Sequence, residues 1–212
     1  FLDGGTSLLV NQSLISKNSS VHGGGVASNF IKSLSVVNST LNQNQSRSRG
    51  AGVYFNGSGT LQSHLKFVNC TITKNITDSQ LGGVIQQDYS TVRYINNIIT
   101  NNDTAKNCTF QNPLSLKIIS LGGNISDRSD CELDHNTDLN NTDPRLSPSL
   151  TTESPLLSYY TLEASSPAIN HGNVLYCPIF DQRNQKRYSV ISESGDLNCD
   201  SGSVEQQKSV PQ

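Results

Sequence analysis

Two cations in this 212-residue chain stand at matching places in similar stretches of sequence, Lys66 within Leu65–Val68 and Arg93 within Val92–Ile95. Beside clustered carboxylates on a strand face, such cations could support cleavage of a polysaccharide, by an acid and base pair or beside a bound Ca²⁺. Ser35 holds the matching place one repeat earlier, and we expect no Asp or Glu in the repeat strands. We therefore interpret Lys66 and Arg93 as a solvated face and keep a polysaccharide lyase or hydrolase as the alternative.

Other residue types that could do chemistry lack the spacing that the chemistry needs. The four histidines show no metal-ligand spacing, and Gly23–Gly25 lacks the Lys-Ser/Thr of a phosphate loop. A string of acids could wrap a Ca²⁺ ion, but its spacing matches no calcium loop that we can name. We predict a solvated loop there, and no metal or cofactor. The acids are Asp127, Asp130, Glu132, Asp134 and Asp138; the histidines are His22, His64, His135 and His171.

Charge and cysteine content restrict the partners and the compartment. A net charge of −2 gives no electrostatic reason to expect nucleic acid or an anionic membrane. No apolar run is long enough for a membrane span, and no signal peptide is visible. Because the chain opens at Phe1 inside a repeat, we expect a mature product or a fragment of a longer protein. Five cysteines suit two disulfide bridges and one spare thiol, which favours an oxidising compartment.

Asn-x-Ser/Thr sequons occur eleven times, about twice the number that chance gives for this Asn, Ser and Thr content. The repeat described next explains part of the excess, because it places Asn before Ser or Thr. Four sequons lie outside the main Asn column, in apparent loops where a glycan would fit. These candidate N-glycosylation sites are Asn56, Asn107, Asn124 and Asn140.

A repeat of about 27 residues organises the first half of the chain. Four segments superimpose, a second Asn follows each at 18, 44, 75 and 102, and a glycine-rich step separates them. The first segment has one more residue between its two Asn, so we expect a one-residue bulge there. The segments are Val10–Leu14, Val37–Leu41, Val68–Ile72 and Ile95–Ile99, and the glycine-rich steps are Gly23–Val26, Gly50–Val53 and Leu81–Val84.

Such a period predicts an all-β fold, a right-handed single-stranded parallel β-helix. A unit of two or three short strands cannot bury its own apolar face, so the units must stack as the coils of a solenoid. Equivalent residues then lie one strand spacing apart, about 4.8 Å. Two interior columns follow from the alignment: Val36, Phe67 and Tyr94, and Leu41, Ile72 and Ile99.

The recurring Asn residues are expected at corners, where a short amide tolerates left-handed backbone and bonds to the coils above and below. We predict that Asn11, Asn38, Asn69 and Asn96 form a stacked structural ladder that points inward, so that Asn38 and Asn69 cannot carry glycans. The glycines serve the tight corner on the other side.

The second half of the chain closes the structure as part of the same domain. We assign 1–126 to coils, with Lys117–Ile125 as one more coil, 127–200 to a loop-rich closing part, and 201–212 to a polar, mobile tail. The loop-rich stretch contains Pro144, Pro148 and Pro155. Ser166–Asn170 and Tyr188–Ile191 are expected as late edge strands.

A family resemblance rests on the order of motifs in this second half. Ser120–Ser126, Cys131, Asn141–Leu146 and Ser166–Gly172 are followed by Cys177, Asp181–Arg183 and Cys199–Gly202. This order resembles the C-terminal portion of choice-of-anchor Q proteins, surface-associated right-handed β-helices akin to polymorphic outer-membrane proteins and adhesins. The chain departs from the pattern at Asn184, where a Gly is usual, and in its ending, Ser203–Glu205.

The resemblance implies extracellular placement and a scaffold or adhesive role. By its order of motifs Cys108 pairs with Cys131 and Cys177 with Cys199, which leaves Cys70 free. It also implies that Asp181 and Arg183 pair structurally.

We therefore expect a non-enzymatic extracellular or cell-surface structural or adhesin-like protein, with partners in self-association or in host or cell-surface glycans or proteins. An uncapped first coil would favour head-to-tail assembly into a glycosylated fibre. A carbohydrate-binding module would need aromatic platforms, for which the candidates are Tyr54, Phe55, Tyr89, Tyr159 and Tyr160.

Overall fold

The computed structural model describes residues 2–3, 6–57, 63–79, 83–102, 106–111, 117–154, 157–187, 190–191 and 197–206. These residues form an all-β chain with one short 3-10 helix, Val174–Tyr176. The strands are β1 (Leu2–Asp3), β2 (Ser7–Asn11), β3 (Leu14–Ser16), β4 (Ser19–His22), β5 (Val26–Asn29), β6 (Ser33–Val37), β7 (Thr40–Asn42), β8 (Gln45–Arg49), β9 (Val53–Asn56), β10 (His64–Val68), β11 (Thr71–Thr73), β12 (Ile76–Thr77), β13 (Gly83–Asp88), β14 (Thr91–Ile95), β15 (Ile98–Thr100), β16 (Lys106–Gln111), β17 (Lys117–Ser120), β18 (Ile125–Ser126), β19 (Thr151–Ser154), β20 (Leu157–Tyr159), β21 (Val190–Ile191) and β22 (Leu197–Asn198).

Most strands stack in parallel along a solenoid, which confirms the predicted parallel β-helix. Sheet A contains β1, β5, β9, β13 and β16; sheet B contains β2, β6, β10, β14 and β17; sheet C contains β3, β7, β11, β15 and β18; sheet D contains β4, β8 and β12. Coils 1 to 5 begin with the successive strands of sheet B. Coils 1 to 3 pass through sheets B, C, D and A in turn; among the described residues, coil 4 has strands in B, C and A, and coil 5 in B and C.

The core runs along the solenoid axis as columns of apolar side chains. Phe67 pairs in register with Val36 on one side and with Tyr94 on the other. The rings of Phe67 and Tyr94 stack with centroids 5.7 Å apart. Sheet C supplies the second predicted column, Leu41, Ile72 and Ile99, and all six residues of the two columns are fully buried. Both interior columns are confirmed.

Left-handed backbone recurs at two corners of every complete coil. At the corner between sheets B and C, the B–C corner, one residue in each of coils 1 to 4 has a positive φ, and Gly122 and Gly123 both do in coil 5; the corner between sheets C and D has one such residue in each of coils 1 to 4. The first column is Gln12, Asn38, Asn69, Asn96 and Gly123, and the second is Lys17, Gln43, Lys74 and Asn101. Asn tolerates this region better than most residues, and this accounts for its recurrence at the B–C corner.

In the first coil, the alignment read from the sequence is wrong by one residue. Asn11 pairs with Val37, so Gln12 occupies the corner that Asn38 holds in the next coil. The register between β3 and β7 is regular, with Leu14 opposite Thr40. The predicted bulge is therefore wrong, and Asn11 is an exposed residue at the end of β2 outside the corner column.

Two amide ladders cross the coils, but not at the predicted column. In the first ladder, Asn97 donates its backbone and side-chain N–H groups to Asn124 Oδ1, both at 2.9 Å. The second ladder starts at Asn18, whose side chain donates to Asn44 Oδ1 at 3.0 Å, and Asn44 donates in the same way to Asn75 at 3.0 Å. The first ladder consists of Ser39, Cys70, Asn97 and Asn124, and the second of Asn18, Asn44, Asn75, Asn102 and Asn107.

The predicted ladder of Asn11, Asn38, Asn69 and Asn96 is thus wrong in its direction. These corner side chains point away from the core, because the left-handed backbone turns them outward and the next residue inward. One amide–amide bond joins the column, from Asn96 Nδ2 to Asn69 Oδ1 at 3.3 Å. Asn38, Asn69 and Asn96 are nevertheless buried, because a later part of the chain covers them.

Glycines form the tight corner between sheets D and A, as predicted. Gly23 and Gly50 both have positive φ. At Gly24 a Cβ would lie 2.4 Å from the carbonyl oxygen of Gln45, so only glycine lets the coils approach this closely. The third glycine-rich step contains Leu81 and Gly82, which lie outside the described residues.

A cap covers the C-terminal end of the coils. Coil 5 follows as predicted, with β17 and β18, and Leu139 then continues sheet C by pairing with Ile125. The Cys108–Cys131 disulfide confirms the first expected pair, and it brings Cys131 and Leu133 into the core. Head-to-tail stacking, which we expected from an uncapped first coil, stays a prediction.

Acids that we assigned to a solvated loop accept hydrogen bonds within this cap. Asp138 accepts hydrogen bonds from the backbone and side-chain N–H groups of Asn124, the last member of the first ladder. Asp127 ends the second ladder by accepting from Asn107 Nδ2 at 2.7 Å, and Asp130 accepts from the backbone N–H of Asn107 at 3.0 Å. Three of the five acids therefore terminate ladders or strands, and Glu132 and Asp134 are exposed.

The rest of the chain returns along the coils as a closing segment, residues 166–187 and 197–206. Residues 166–170 form turns, so the predicted strand there is wrong, whereas Val190–Ile191 pairs with Leu197–Asn198 as a short antiparallel ribbon. The expected mobile tail is also wrong over its first residues, because 201–205 are buried. Pro155, Tyr188, Ser189 and 207–212 lie outside the described residues.

Candidate functional site: a disulfide-anchored apolar loop

The closing segment lies on the B–C corner and contacts one corner residue per coil. Asn38 Nδ2 donates to the carbonyl oxygen of Phe180 at 2.7 Å, and Asn69 Nδ2 donates to that of Asp200 at 3.0 Å. Asn96 Oδ1 accepts from the backbone N–H of Asn173 at 2.6 Å. The corner column is therefore a row of amides that binds the returning chain.

Asp181 joins two parts of the closing segment, residues 183–185 and Glu205; we call this region the base of the segment. Asp181 is fully buried and accepts hydrogen bonds from the backbone N–H groups of Arg183, Gln185 and Glu205. Its carboxylate also pairs with the Arg183 guanidinium at 2.6 Å, as the resemblance implied. The pKa of Arg183 is raised although burial acts to lower it, because the hydrogen bond and charge of Asp181 favour the cation.

A second ion pair, Arg187–Glu205, is buried beneath the same segment at 3.2 Å. Arg187 also donates to Asn38 Oδ1 at 3.0 Å and to the carbonyl oxygen of Gly202 at 2.9 Å. Burial, followed by the nearby charge of Asp200, raises the pKa of Glu205 to about 7. Burial lowers the pKa of Arg187, because for a basic group too it disfavours the charged form. Desolvation thus outweighs the attraction within this pair, as expected for buried charges.

Above this base, residues 174–180 form a loop that is fixed at three places; we call it the apolar loop. Asn173 holds its start, by donating Nδ2 to the carbonyl oxygen of Leu121 at 2.7 Å and by capping the 3-10 helix. The Cys177–Cys199 disulfide, the second expected pair, holds the middle. Asn38 holds the end through Phe180. These three attachments restrict the conformations that the loop can adopt.

Large apolar side chains of this loop face solvent. Leu175 is 82% exposed and Ile179 70%, and Val174, Tyr176 and Phe180 are also exposed. Leu9 of β2, 63% exposed, continues the patch. A groove of about 360 Å³ between the coils and the loop is lined by Leu9, Asn11, Gln12, Val37, Asn38, Pro178, Ile179 and Phe180. A contiguous exposed apolar patch of this kind is typical of interaction sites.

The predicted cation face is positioned as expected. Lys66 pairs in register with Ser35 and Arg93, and the same outward column continues to Leu9 and Ile119. None of these register neighbours is a carboxylate. The expectation of no Asp or Glu in the repeat strands is wrong, because Asp88 ends β13 and Asp3 ends β1, both in sheet A. Asp88 is buried there, in a different sheet from Lys66 and Arg93.

One Ser, His and Asp group does meet in the cap. The Ser120 hydroxyl donates to Asp138 Oδ2 at 2.5 Å, and His135 reaches the same oxygen through its backbone N–H at 3.0 Å. No imidazole nitrogen is placed to take the Ser120 proton, so this group is structural. Among the described residues one cluster has metal-ligand proximity, Cys108, Asp130 and Cys131, and its cysteines are bonded to each other.

The structure divides the sequons into buried and accessible ones. Asn107 and Asn124 are fully buried ladder residues, so their assignment to glycan-accepting loops is wrong. Asn56 and Asn140 are partly exposed, although Asn140 Nδ2 donates to the carbonyl oxygen of Leu133 at 2.9 Å. Other sequon asparagines are buried at Asn38, Asn44, Asn69, Asn75 and Asn102.

The aromatic candidates do not form a sugar-binding platform. Phe55 is in the core, and Tyr159 and Tyr160 are buried. Tyr54 is partly exposed beside His22, with ring centroids 5.4 Å apart, and Tyr89 is partly exposed. These positions give no row of flat, open aromatic faces.

Sequence reasoning missed the apolar loop, although a signal was present. Residues 174–180 read Val-Leu-Tyr-Cys-Pro-Ile-Phe, an uninterrupted apolar run in a chain rich in Asn, Ser and Thr. Cys177 and Pro178 within the run, together with its position outside the repeat, mark it as a loop rather than a buried strand. Arg187 and Glu205 carried no local signal, because their partners lie far away in sequence.

Comparisons with protein-family models, with curated proteins and with solved structures found no match to this chain. The resemblance to choice-of-anchor Q proteins therefore stays a prediction. No helix among the described residues is long and apolar enough to cross a membrane. The two disulfides indicate an oxidising environment.

Proposed function

We propose that this protein is a non-enzymatic extracellular or cell-surface structural protein of the adhesin type, which binds its partner through the apolar loop. The observation that carries the proposal is the exposure of Leu175 and Ile179 on a loop fixed by Asn173, the Cys177–Cys199 disulfide and Asn38. Exposed apolar side chains cost solubility, and rigid anchoring lowers the entropy lost on binding.

The partner that best suits this surface is a protein. The groove beside the loop is lined by aliphatic side chains, Phe180 and uncharged amides, with no charged residue. Aliphatic or aromatic side chains of a partner would fill such a groove, as anchors do at protein interfaces. A second copy is one such partner, through the loop rather than along the solenoid axis.

The enzyme alternative has no observation that favours it. Catalysis on a β-helix strand face would need carboxylates beside Lys66 and Arg93, and their register neighbours are Ser, Leu and Ile. The glycoprotein form remains part of the proposal at Asn56 and Asn140, the two candidate sequons with partly exposed side chains.

Bead retention tests the proposal. Beads coated with the disulfide-intact protein are applied to cell monolayers and to protein-coated surfaces, and the force that detaches them is measured. Leu175→Ser with Ile179→Ser should reduce retention at least about tenfold. The matched control, Val21→Ser with Phe30→Ser, removes two apolar residues, each 53% exposed, outside the loop, and should retain wild-type binding.

Equal retention of the two double variants, or wild-type retention no higher than that of bare beads on every surface, would contradict the proposal. Sedimentation of the soluble protein at micromolar concentration separates the two kinds of protein partner. Dimers that the loop variant abolishes would identify a second copy as the partner.

A further inference from the structure

We propose that the Cys177–Cys199 disulfide is a thiol-exchange site, which an external dithiol opens by attack at Cys177, and that its opening releases the apolar loop. The exchange itself rests on the access to the two sulfurs and on the groups around them. Only its consequence for binding rests on the proposed function.

The two disulfides differ in access. Cys108 is 1% exposed, Cys131 is fully buried, and both belong to the main core cluster. Cys177 is partly exposed and, with Cys199, lines a cavity of about 330 Å³. Val174, Ile179 and Lys186 form other parts of its wall. A small thiol can therefore reach the second disulfide while the coils stay folded, and reaching the first requires the core to open.

Access also differs between the two sulfurs of the exposed disulfide. Cys199 is 2% exposed, and Gly172 lies so close to its sulfur that a Cβ added there would be 2.6 Å from Sγ. The incoming thiolate must approach in line with the S–S bond, so the partly exposed Cys177 is the sulfur that it can attack. Cys199 is then the leaving group.

The surroundings of Cys199 favour its departure as a thiolate. Its Sγ lies 4.0 Å from Asn69 Nδ2 and 3.7 Å from Asn96 Nδ2, and both are N–H donors. Asn96 Nδ2 also lies 3.6 Å from Cys177 Sγ, so of these two donors Asn69 is the one that contacts Cys199 and not Cys177. Arg187 lines the same cavity. Donors and a cation beside a sulfur lower the pKa of its thiol, and a leaving thiol of lower pKa departs faster.

The exchange balances with a dithiol as the reductant. Its thiolate forms a bond to Cys177 Sγ, the S–S bond breaks, and the electron pair passes to Cys199 Sγ. The second thiol of the reductant, as a thiolate, attacks the reductant's own sulfur in the mixed disulfide, which releases Cys177 as a thiolate. Both cysteine thiolates then take up protons, so the protein gains two electrons and two protons while the dithiol becomes a disulfide.

Opening of the Cys177–Cys199 disulfide removes the middle one of the three attachments of the apolar loop. The Asn173 contacts and the Asn38–Phe180 hydrogen bond remain, but the exposed side chains between them lose their fixed arrangement. The coils keep their own contacts. The apolar surface would thus exist in a rigid oxidised form and a loose reduced form.

Trapping with a monothiol tests the direction of attack. The folded protein is treated with reduced glutathione, quenched with acid, alkylated and mapped by mass spectrometry. We expect glutathione on Cys177 in at least about tenfold excess over Cys199, with Cys108–Cys131 intact and the far-ultraviolet circular dichroism unchanged. Glutathione mainly on Cys199, or opening of both disulfides together, would overturn the proposal.

A matched pair of variants tests the leaving group. Asn69→Gly removes the donor that contacts Cys199 Sγ and not Cys177 Sγ, and Asn101→Gly removes an Asn from the same left-handed backbone at the other corner, away from the sulfurs. With dithiothreitol, the opening of Cys177–Cys199 should be at least about fivefold slower in Asn69→Gly and unchanged in Asn101→Gly. Equal rates would count against a role for the amide donors in the exchange.

Bead retention before and after selective opening separates this inference from the proposed function. Loss of retention on opening supports both proposals. Selective opening without any change in retention contradicts loop release but leaves the exchange site standing. A wild-type protein that never binds, yet opens selectively at Cys177, contradicts the proposed function alone.

Discussion

The coils and the closing segment are stabilised in different ways. In the coils equivalent contacts recur in successive turns: Phe67 lies between Val36 and Tyr94 in one interior column, and Asn44 bonds to Asn75 as Asn18 bonds to Asn44. In the closing segment each contact occurs once, as in the Arg187–Glu205 pair and the Cys177–Cys199 disulfide. Repeated contacts make the coils a continuous support, on which single contacts hold a loop in a defined position. The difference separates the part that gives stability from the part that presents a surface.

Removing a core side chain should have the largest effect on stability. Phe67→Ala empties the centre of an interior column and should cost about 4 kcal/mol. Lys66→Ala, the adjacent outward residue, should cost less than about 0.5 kcal/mol. Urea denaturation followed by circular dichroism measures both. Similar losses in the two variants would show that the column does not carry the stability of the coils.

Breaking a ladder should cost somewhat less. Asn75→Leu removes the acceptor of the Asn44 backbone N–H and of one Asn44 side-chain N–H, while Nδ2 keeps its bond to the carbonyl oxygen of Ile15; this should destabilise the protein by about 3 kcal/mol. Asn11→Leu, outside both ladders and exposed, is the matched control and should change stability by less than about 0.5 kcal/mol. If Asn11→Leu were the more damaging of the two, the alignment first read from the sequence would be restored.

The closing segment should respond to pH where the coils do not. Because the folded pKa of Glu205 is about 7 and its ordinary value is 4.5, its favourable contribution is complete below about pH 4.5 and is lost as pH rises through about 7. We expect the segment to be more stable at pH 5 than at pH 8, by on the order of 2 kcal/mol.

The variant Glu205→Gln isolates this contribution from those of Asp200, whose pKa burial also raises, and His171, whose pKa burial lowers. Limited proteolysis between pH 5 and pH 8 follows release of the segment. The wild type should be cleaved faster at pH 8, and the difference should shrink in Glu205→Gln. Faster cleavage of the wild type at pH 5 would reverse the sign and contradict the assignment.

A change at an exposed corner should have the smallest effect. Lys17 has a φ of 58°, which strains a side chain, so Lys17→Gly should stabilise the coils by about 0.5 kcal/mol. Lys66→Gly places the same substitution in an extended strand and should destabilise by about 1 kcal/mol. Thermal unfolding resolves the two signs. Destabilisation by Lys17→Gly would mean that the corner backbone differs from the one described.

The repeat made the coils predictable from sequence. An alignment error in one coil does not change the predicted fold, because the other coils show the same pattern. Phe67 and Ile72 could be placed inside, and both disulfides followed from the resemblance. The direction of Asn38 and Asn69 could not be predicted, because rotation at the corner depends on backbone φ, and the sequence specifies only that Asn tolerates either sign.

The closing segment was predictable only in part. Asp181 and Arg183 are neighbours, so their pairing could be anticipated, whereas Asn38 meets Phe180 across most of the chain length. A single-copy contact between distant residues leaves no periodic signal. The apolar loop was overlooked for the same reason: its exposure depends on anchors that the linear sequence does not reveal.

Hydrogen exchange of the intact protein, read by mass spectrometry, tests most directly whether a stable solenoid carries a separately anchored loop. We expect strands β10, β14 and β15 to exchange through global unfolding. Residues 173–187 should exchange through a smaller opening that becomes easier after selective reduction of Cys177–Cys199. Equal protection of both regions, falling together on reduction, would show one cooperative unit and contradict the account.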